Sequence, residues 1–228
     1  MSHYIASVSW GKDSLAMLHL LISRHEPLDE VLFYDTGAEF EAIYAERDRT
    51  LPLLAEYGVK YTELRPRRPF FFDMLAKTVR KRDGSTQSGY GWCGGATRWG
   101  TSEKTRALDA YARRLDACVY VGIAADEERR IERERVPWKL LPLVDWGMTE
   151  TDCLALCYGR GHTWDEGGVR LYDVLGRVSC WCCRNKNLKE LKAIHDNLPA
   201  YYERLEALEE TCGQMKKGKT LKEIGGAL

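Results

Sequence analysis

Short apolar runs and longer periodic stretches alternate along the first 146 residues of the chain. The runs Tyr4–Val8, Val31–Tyr34, Val59–Leu64 and Cys118–Val121 predict four strands, of which the first is expected to be buried. Between them, apolar residues recur at helical spacing over residues 15–22, 41–57 and 102–115. Because strands that alternate with helices form parallel sheets, the pattern predicts an α/β fold with a doubly wound, mainly parallel sheet.

The pattern changes twice along the chain. Residues 65–100 are irregular, with a basic tract, three consecutive phenylalanines and a glycine-rich stretch, and we interpret them as a substrate-facing insertion or mobile loop. After Asp145 the periodicity is mainly helical, over residues 149–158 and 188–208, with a cysteine cluster between these helices. We therefore predict a first domain over residues 1–146 and a helical C-terminal extension over residues 147–228.

Composition narrows the class of protein. The 228 residues contain 34 Lys and Arg against 34 Asp and Glu, so no global positive field attracts nucleic acid, although a local basic patch is still compatible with this balance. The N-terminus has no signal-peptide pattern and the apolar stretch 15–22 is too short to span a bilayer, which predicts a cytoplasmic protein with no membrane role. The 8 cysteines are then expected to be thiols, catalytic groups or metal ligands.

A short turn separates the first predicted strand from the first predicted helix. Its residues are Ser9, Trp10, Gly11, Lys12, Asp13 and Ser14. Small residues let backbone N–H groups converge on an anion, and the helix N-terminus and Lys12 add positive charge, so the turn can hold pyrophosphate. The alternative is a turn capped by Ser14 with an exposed Lys12.

A second segment has the spelling of a phosphate-binding loop. Residues 213–220, Gly-Gln-Met-Lys-Lys-Gly-Lys-Thr, match glycine, four residues and Gly-Lys-Thr. Such a loop must follow a strand and open a helix, whereas this one follows a helical stretch near the chain terminus. We interpret it as a solvated basic tail.

The order of motifs resembles one family. The turn at residues 9–14 resembles the Ser-x-Gly-x-Asp-Ser loop of the PP-loop ATP pyrophosphatases, and residues 33–40, Phe-Tyr-Asp-Thr-Gly-Ala-Glu-Phe, resemble the strand-end motif of the phosphoadenosine phosphosulfate reductase branch. Later landmarks of that branch follow in order at Trp92-Cys93, residues 122–130, Leu141-Pro142-Leu143 with Trp146, Leu171-Tyr172 and residues 180–183. The resemblance covers residues 4 to about 190.

The resemblance implies an adenine nucleotide alpha-hydrolase-like fold with the nucleotide at the carboxyl ends of the strands. ATP or a related nucleotide, with Mg²⁺, would be bound by the six turn residues, with Asp13 orienting the turn or holding the metal. Tyr34, Asp35, Thr36 and Gly122 would line the adenosine side. As catalytic groups we expect Lys12, Asp13, Asp35, Asp126 and Arg129.

Asp126 and Arg129 lie in a charged run at residues 126–130, just after the fourth predicted strand. That position brings carboxylate and guanidinium groups to the crevice, where arginine suits phosphate. The alternative is a solvated helix start. Related proteins often have an arginine two residues after the glycine; Ala124 stands there in this chain, so Arg129 would have to supply that contact.

The cysteines suggest a metal centre. Cys180 and Cys183 have the Cys-x-x-Cys spacing of one coordinating turn, Cys157 is one helical turn from Cys153, and Cys93 matches a cluster cysteine of iron–sulfur family members. We predict Cys93, Cys157, Cys180 and Cys183 as ligands of a [4Fe–4S] cluster, which family analogy favours, or of Zn²⁺. Cys182 is a candidate redox or sulfur-carrying thiol, and Cys118 is expected to be a core residue.

Three functions remain open at this point. The first is ATP cleavage to AMP and pyrophosphate that adenylylates an unknown acceptor, with sulfur transfer from a donor as one use. The second is reduction of adenylyl sulfate or its 3′-phosphorylated form by a thiol reductant; the segment Glu210-Thr211-Cys212-Gly213 departs from the Glu-Cys-Gly motif of such reductases. The third is a nucleotide sensor or nucleic-acid-binding partner that uses residues 65–68 and 70–72. A nucleic-acid substrate and a homodimer are left open.

Overall fold

The secondary structure is taken from a computed structural model that describes residues 3–226. Its strands are β1 (His3–Ser7), β2 (Glu30–Tyr34), β3 (Lys60–Leu64), β4 (Thr78–Arg80), β5 (Thr86–Ser88), β6 (Ala117–Val121), β7 (Lys139–Leu140), β8 (Asp165–Glu166) and β9 (Val169–Arg170). Its helices are α1 (Lys12–Ser23), α2 (Glu41–Glu56), α3 (Phe70–Leu75), α4 (Trp99–Arg114), α5 (Glu128–Glu134), α6 (Pro142–Asp145), α7 (Glu150–Gly159), α8 (Leu171–Val174), α9 (Leu188–Asn197), α10 (Pro199–Cys212) and α11 (Leu221–Gly226). The predicted α/β class with a helical, cysteine-containing C-terminal part is confirmed.

Five strands form one parallel sheet in the order β3-β2-β1-β6-β7. Strand β1 pairs with β2 on one side and with β6 on the other, with Ser7 opposite Val121 at the carboxyl ends. All residues of β2 are buried, which fits a central strand covered on both faces. The four predicted strands are all in this sheet, within one residue or so of their predicted bounds.

The strand order fixes where a ligand crevice can form. From β1 the chain proceeds outward to β2 and β3, and then returns to β6 on the other side of β1. The carboxyl ends of β1 and β6 are therefore the topological switch point, at which open α/β sheets bind ligands. The turn at residues 9–14 follows β1, and Gly122 follows β6, so both motifs meet at this point.

The sheet is stabilised by a cluster of buried apolar side chains, three of which come from the predicted strands. Ile5, Leu32 and Val119 from three adjacent strands pack with Ala112 of α4 and Ala117, and Leu108 and Trp138 pack partly buried against them. Removing this much apolar surface from water is the main favourable contribution to folding.

Two elements differ from the sequence prediction. The fifth strand, β7, was not predicted because two residues are too few for a recognisable apolar run. The helix predicted over residues 188–208 is two helices, because α9 ends at Asn197 and α10 begins at Pro199. Proline lacks an N–H and suits the first position of a helix, where that donor would have no intrahelical acceptor.

The irregular segment 65–100 contains more regular structure than predicted. It forms α3 and an antiparallel hairpin of β4 and β5. Gly89, with φ +67°, follows the hairpin at a place where a Cβ atom would lie 2.0 Å from the Met74 carbonyl oxygen. Only glycine fits that close approach, so the glycine content of this segment is in part a packing requirement.

The interpretation of residues 213–220 as a solvated tail is only partly right, because Lys217 and Lys219 are exposed but other residues of the segment pack on the protein. Met215 is buried, its N–H donates to Glu209, and the Lys216 ammonium donates to the Arg184 carbonyl oxygen. The segment leads into α11, which packs on α9 through the buried residues Leu221 and Ile224. It follows α10 and not a strand, which agrees with rejecting it as a phosphate-binding loop.

The chain divides into two compact units that each combine separate stretches. The first unit contains residues 1–35, 41–64 and 105–164, and the second contains residues 36–40, 65–104 and 165–228. The first holds the five-stranded sheet, and α7 belongs to it because α7 packs on α1. The division at residue 146 stays a prediction. Within residues 3–226, no helix combines the length and apolar character needed to cross a lipid bilayer.

Candidate functional site

The turn after β1 is closed by the hydroxyl group of Ser14. The Ser9 N–H donates to Ser14 Oγ at 3.1 Å, the two serine hydroxyls lie 3.2 Å apart, and Ser14 Oγ donates to the Gly11 carbonyl oxygen at 3.1 Å. Ser14 is thus the third residue of α1, whose N-cap is Gly11, and the predicted alternative of a Ser14 cap is wrong. The hydroxyl holds the turn in a compact form.

Lys12 is buried, which contradicts the exposed loop lysine of that alternative. Its ammonium group donates to Asp13 Oδ1 at 2.6 Å and to Glu150 Oε1 at 2.8 Å. Burial lowers the pKa of Lys12, but the hydrogen bonds and charges of Asp13 and Glu150 outweigh it and raise the pKa above its ordinary value. A full positive charge therefore sits at the start of α1 at neutral pH.

Several carboxylate groups lie near Lys12, and their charges affect one another. Burial raises the pKa of Asp13, the Lys12 ammonium opposes this shift, and the charges of Glu150 and Glu127 add to it. Glu150 is the first residue of α7, whose capping box joins Thr149 and Asp152. Sequence reasoning found the start of this helix but did not connect Glu150 with the phosphate turn, because 138 positions separate it from Lys12.

Gly122 lies close to the main chain of the phosphate turn, whereas the sequence analysis placed it on the adenosine side of the nucleotide. A Cβ atom at Gly122 would lie 2.7 Å from Ser14 Cα and 2.9 Å from Ser14 N. The end of β6 therefore touches the phosphate turn itself, and any side chain at Gly122 would displace the turn. The adenosine-lining role of Gly122 stays a prediction.

Trp10 lies in the phosphate turn with its side chain directed into the protein. It has φ +62°, a left-handed conformation that is uncommon for a bulky residue, and it is fully buried against Phe33 and Tyr61. Its indole Nε1 is buried with no hydrogen-bond acceptor within residues 3–226, which costs about 1–3 kcal/mol. Its main-chain carbonyl oxygen accepts from Trp164 Nε1 at 2.7 Å, and its part in nucleotide binding stays a prediction.

The end of β2 carries the second motif. Tyr34 and Asp35 are buried, the Asp35 N–H donates to the Leu64 carbonyl oxygen at 2.8 Å, and one Asp35 carboxylate oxygen accepts from the Tyr44 hydroxyl at 2.7 Å. Thr36 belongs to the second unit, where its hydroxyl donates to Glu39. The carboxylate of Asp35 is thus fixed at the carboxyl end of β2.

The charged run after β6 has its own contacts within the first unit. Asp126 is exposed and accepts from the N–H of Glu150 at 3.0 Å, so it holds the first residue of α7. Glu127 pairs with Arg130 at 2.5 Å, and Arg129 is an exposed residue of α5. The catalytic roles of Asp126 and Arg129 stay predictions, and Asp126 also positions the helix that supplies Glu150.

In the second unit, the structure brings the chain around Cys93 to the Cys-x-x-Cys turn. The Cys93 carbonyl oxygen accepts from the Arg184 N–H at 3.2 Å, and the Cys183 N–H donates to the Cys180 carbonyl oxygen at 3.0 Å. Cys180 Sγ lies 3.5 Å from Glu39 Oε1. Burial, followed by the charge of Glu39, raises the pKa of Cys180 well above its usual value, so its thiol is protonated.

A buried lysine accompanies these thiols and was not predicted from the sequence. Lys186 is 2% exposed, and its ammonium group lies 3.3 Å from Ser179 Oγ and over the Phe40 ring. Burial lowers the pKa of Lys186, and the nearby cysteines oppose this shift. Within residues 3–226, no three His, Cys, Asp or Glu side chains converge as a preformed metal site. Binding at Cys93, Cys180 and Cys183 would therefore require the thiols to reorient and lose their protons.

Cys157 has a different environment from the other predicted ligands. It belongs to the first unit and is fully buried in α7, where its thiol donates to the Lys12 carbonyl oxygen at 3.4 Å. Burial raises its pKa, so the group is a neutral thiol. Within residues 3–226, Cys157 is not part of a preformed group of three or more His, Cys, Asp or Glu side chains, and its role as a metal ligand stays a prediction. Its contact with the Lys12 carbonyl oxygen supports the phosphate turn.

A buried polar chain packs behind the phosphate turn. His19 Nε2 lies 2.7 Å from His162 Nε2, and His162 Nδ1 lies 2.6 Å from Glu46 Oε2. The other Glu46 oxygen accepts from the N–H groups of Thr163 and Trp164 at 2.8 and 3.0 Å. Glu46 and the two histidines were not predicted as functional, because they are far apart in sequence and each is unremarkable in its own helix or loop.

The buried polar groups make the free energy of unfolding depend on pH through His19. Burial, followed by the charges of His162 and Arg160, lowers the pKa of His19 from 6.5 to about 3. Between these values only the unfolded chain takes up the proton, so acidification favours unfolding. We expect His19 to reduce the free energy of unfolding by about 1.4 kcal/mol per pH unit from about pH 6 to 4. Denaturant titrations of His19→Gln should lack this slope, exposed His25→Asn should retain it, and equal slopes in all three proteins would contradict the assignment.

The chain is similar to one protein family over residues 3–152. The profile of the phosphoadenosine phosphosulfate reductase domain matches residues 3–152. A solved structure of the U34-tRNA thiolase NcsA from Methanococcus maripaludis with its [4Fe-4S] cluster is similar at 16% identity and a TM-score of 0.48, over 99% of this chain and 80% of that chain. A search of curated proteins found no significant match. The matched profile covers about two thirds of the sequence, including the phosphate turn, the end of β2 and Gly122, and on this basis the chain belongs to the phosphoadenosine phosphosulfate reductase family.

Proposed function

We propose that the protein cleaves ATP between the α- and β-phosphates and adenylylates an acceptor, with Mg²⁺ as the metal. The main support is the phosphate turn at the switch point between β1 and β6, with the Lys12 ammonium buried at its base. Backbone N–H groups of the turn and the N-terminus of α1 would bind the pyrophosphate group. Lys12 would offset the negative charge that develops on the leaving pyrophosphate.

The two carboxylates on Lys12 fit a nucleotide-bound magnesium ion. Mg²⁺ in nucleotide sites is held by one or two carboxylates plus substrate phosphates, so no cage of three protein ligands is required. Asp13 and Glu150 would supply these oxygens, and the ion would neutralise phosphate charge. In exchange, the Lys12 ammonium would turn from the carboxylates toward the phosphates. Asp35, fixed by Tyr44, is then the carboxylate at the neighbouring strand end that can accept a proton from the attacking acceptor.

Sulfur transfer is the use of the adenylylated acceptor that the second unit supports. Cys93, Cys180 and Cys183 with buried Lys186 offer thiolate donors and a nearby cation for a metal centre, which would be a [4Fe–4S] cluster or Zn²⁺. A thiolate-bound centre carries net negative charge, which the Lys186 ammonium would offset. Such a centre would hold sulfur for displacement of the adenylyl group.

Reduction of adenylyl sulfate is the alternative, and the departure of residues 210–213 from the Glu-Cys-Gly motif counts against it. A reductase of this kind needs an activated thiolate, whereas burial raises the pKa of Cys212, at the end of α10, and keeps it a thiol. Thiol-dependent release of sulfite from adenylyl sulfate or its 3′-phosphorylated form would favour the reductase. Tight nucleotide binding without turnover would favour a sensor.

The test of the proposed function is the identity of the products. Purified protein incubated with ATP, Mg²⁺ and candidate acceptors, including transfer RNA and DNA fragments, should release one pyrophosphate for each AMP that is found bonded to the acceptor or, after displacement of the adenylyl group, free in solution. The Mg²⁺-free reaction and the Lys12→Ala variant serve as controls. Release of ADP and phosphate alone would overturn the proposal.

A further inference from the structure

Two carbonyl groups of the phosphate turn are held by side chains from α7 and the loop that follows it. The indole Nε1 of Trp164 donates to the Trp10 carbonyl oxygen at 2.7 Å, and the thiol of Cys157 donates to the Lys12 carbonyl oxygen at 3.4 Å. Trp164 is fully buried, so its single N–H donor has a fixed direction. The hydrogen bond from Trp164 therefore holds the turn at Trp10, the residue of the turn whose positive φ is the least favourable backbone conformation.

Because these carbonyl groups are held, the geometry of the peptide bond determines where the N–H groups of the turn point. In a trans peptide the C=O of one residue and the N–H of the next point in opposite directions. A Trp10 carbonyl directed at Trp164 turns the Gly11 N–H away from the protein interior, and the Lys12 carbonyl does the same for the Asp13 N–H. Meanwhile the Gly11 carbonyl oxygen accepts from Ser14 Oγ and from the Leu15 N–H, which directs the Lys12 N–H outward. Three successive donors are thereby oriented together.

Trp164 is itself held by the buried chain of polar groups. Glu46 Oε1 accepts from the N–H groups of Thr163 and Trp164, and Glu46 Oε2 contacts His162 Nδ1. Trp164 has φ +46°, so this short loop adopts a left-handed conformation that the carboxylate stabilises. Hydrogen bonds to the charged form, together with His162, lower the pKa of Glu46 against the opposing effect of burial, so the acceptor stays ionised.

We propose that Trp164, held by Glu46 and His162, is a positioning residue that orients the N–H groups of the phosphate turn toward a pyrophosphate group. The inference rests on the proposed function, because it assigns these groups to the binding of the same leaving group. It explains why a buried carboxylate and two histidines are linked by hydrogen bonds to the loop whose indole contacts the turn. Trp164 does not touch the ligand and acts only through the Trp10 peptide.

The test separates a positioning effect from a loss of folding. Trp164→Phe keeps an aromatic ring and removes the N–H donor. We expect its dissociation constant for inorganic pyrophosphate with Mg²⁺, measured by calorimetry well below the melting temperature, to rise about 10-fold, the equivalent of one lost hydrogen bond. Its dissociation constant for adenosine, which has no phosphate, should not change. Trp146→Phe, at a tryptophan that packs on Arg24 at the end of α6, is the matched control and should bind both ligands like the wild type.

A second variant, Glu46→Gln, tests the same role if Trp164→Phe does not fold. Glu46→Gln keeps the size of the side chain and weakens the acceptor for the backbone N–H of Trp164. It should therefore weaken pyrophosphate binding, as Trp164→Phe does, and leave adenosine binding unchanged. Equal losses for pyrophosphate and adenosine, or wild-type pyrophosphate binding in a folded variant, would overturn the positioning role alone. A wild-type protein that binds neither pyrophosphate nor ATP would overturn the proposed function and this inference with it.

Discussion

Lys12→Ala should reduce ATP turnover by at least about 100-fold, the loss expected when a charge that stabilises the transition state is removed. The Lys12 ammonium is the buried cation of the phosphate turn and is paired with Asp13 and Glu150. Its raised pKa means that it is charged across the neutral range, so the loss should be similar from pH 6 to 9. Initial rates of pyrophosphate release, measured at saturating ATP, provide the measurement.

The same substitution should also lower stability, since Lys12 is buried and its partners would lose their cation. Glu150 is 44% exposed at its side chain and Asp13 19% exposed, so water takes over part of the solvation. We expect a decrease of about 1–2 kcal/mol in the free energy of unfolding, and not the 3–5 kcal/mol of a fully buried broken pair. Urea titrations monitored by circular dichroism would show the size of this change. Turnover must accordingly be measured at a temperature at which the variant is fully folded.

A second lysine of the first unit, Lys60 at the start of β3, is the control. Lys60 pairs with the buried Glu30 at 3.1 Å, at the amino end of the strands and thus at the opposite edge from the phosphate turn. Lys60→Ala also removes a lysine that pairs with a carboxylate, although its side chain is 61% exposed, and it should leave turnover unchanged. If both variants lose turnover equally, or if Lys12→Ala retains it, Lys12 does not serve the reaction.

The sequence predicted the parts of this site that depend on local order along the chain. Four of the five parallel strands coincide with strands that the sequence predicts, and the residues after a strand necessarily lie at the carboxyl edge of the sheet. For this reason the positions of residues 9–14, Asp35 and Gly122 could be predicted without knowledge of the tertiary structure. The strand order then follows from few alternatives, because parallel connections are right-handed and short.

The partners of the turn could not be predicted in the same way. Glu150 and Trp164 contact the turn from α7 and the loop after it, Glu46 of α2 holds Trp164, and these contacts depend on how the elements pack. A single sequence contains no signal that pairs residues over 100 positions apart. The burial of Lys12 follows from the same packing, which is why a lysine in a turn was open to interpretation as an exposed group.

Cysteine spacing had similar limits. The Cys-x-x-Cys pattern correctly indicated a turn, with the Cys183 N–H on the Cys180 carbonyl oxygen. The one-turn spacing of Cys153 and Cys157 also occurs in an ordinary buried helix face, which is what α7 presents to α1. Spacing alone therefore does not separate a ligand from a core thiol, whereas the distant partner of Cys157, the Lys12 carbonyl oxygen, does.

Replacing Cys183 by serine should remove a metal centre from protein purified without oxygen. Cys180 and Cys183 lie on one turn, Cys93 is linked to that turn through the Arg184 N–H, and buried Lys186 can offset thiolate charge. Wild-type protein should contain iron and sulfide with broad visible absorption, or colourless stoichiometric zinc. In Cys183→Ser the metal content should fall to background, and the melting temperature should fall with it, because coordination free energy is also folding free energy.

Cys118→Ser is the matched control, because Cys118 is a half-buried residue of β6 in the first unit. It should keep the metal and the wild-type melting temperature. Cys157→Ser tests the predicted fourth ligand in the same way: retention of metal with weakened pyrophosphate binding would place its thiol at the phosphate turn, as its contact with the Lys12 carbonyl oxygen indicates. If anaerobically purified wild-type protein contains neither iron nor zinc after supply of either metal with sulfide, the metal centre is wrong. The thiols around Lys186 would then be packing residues, because raised pKa values keep Cys180 and Cys182 protonated and unreactive.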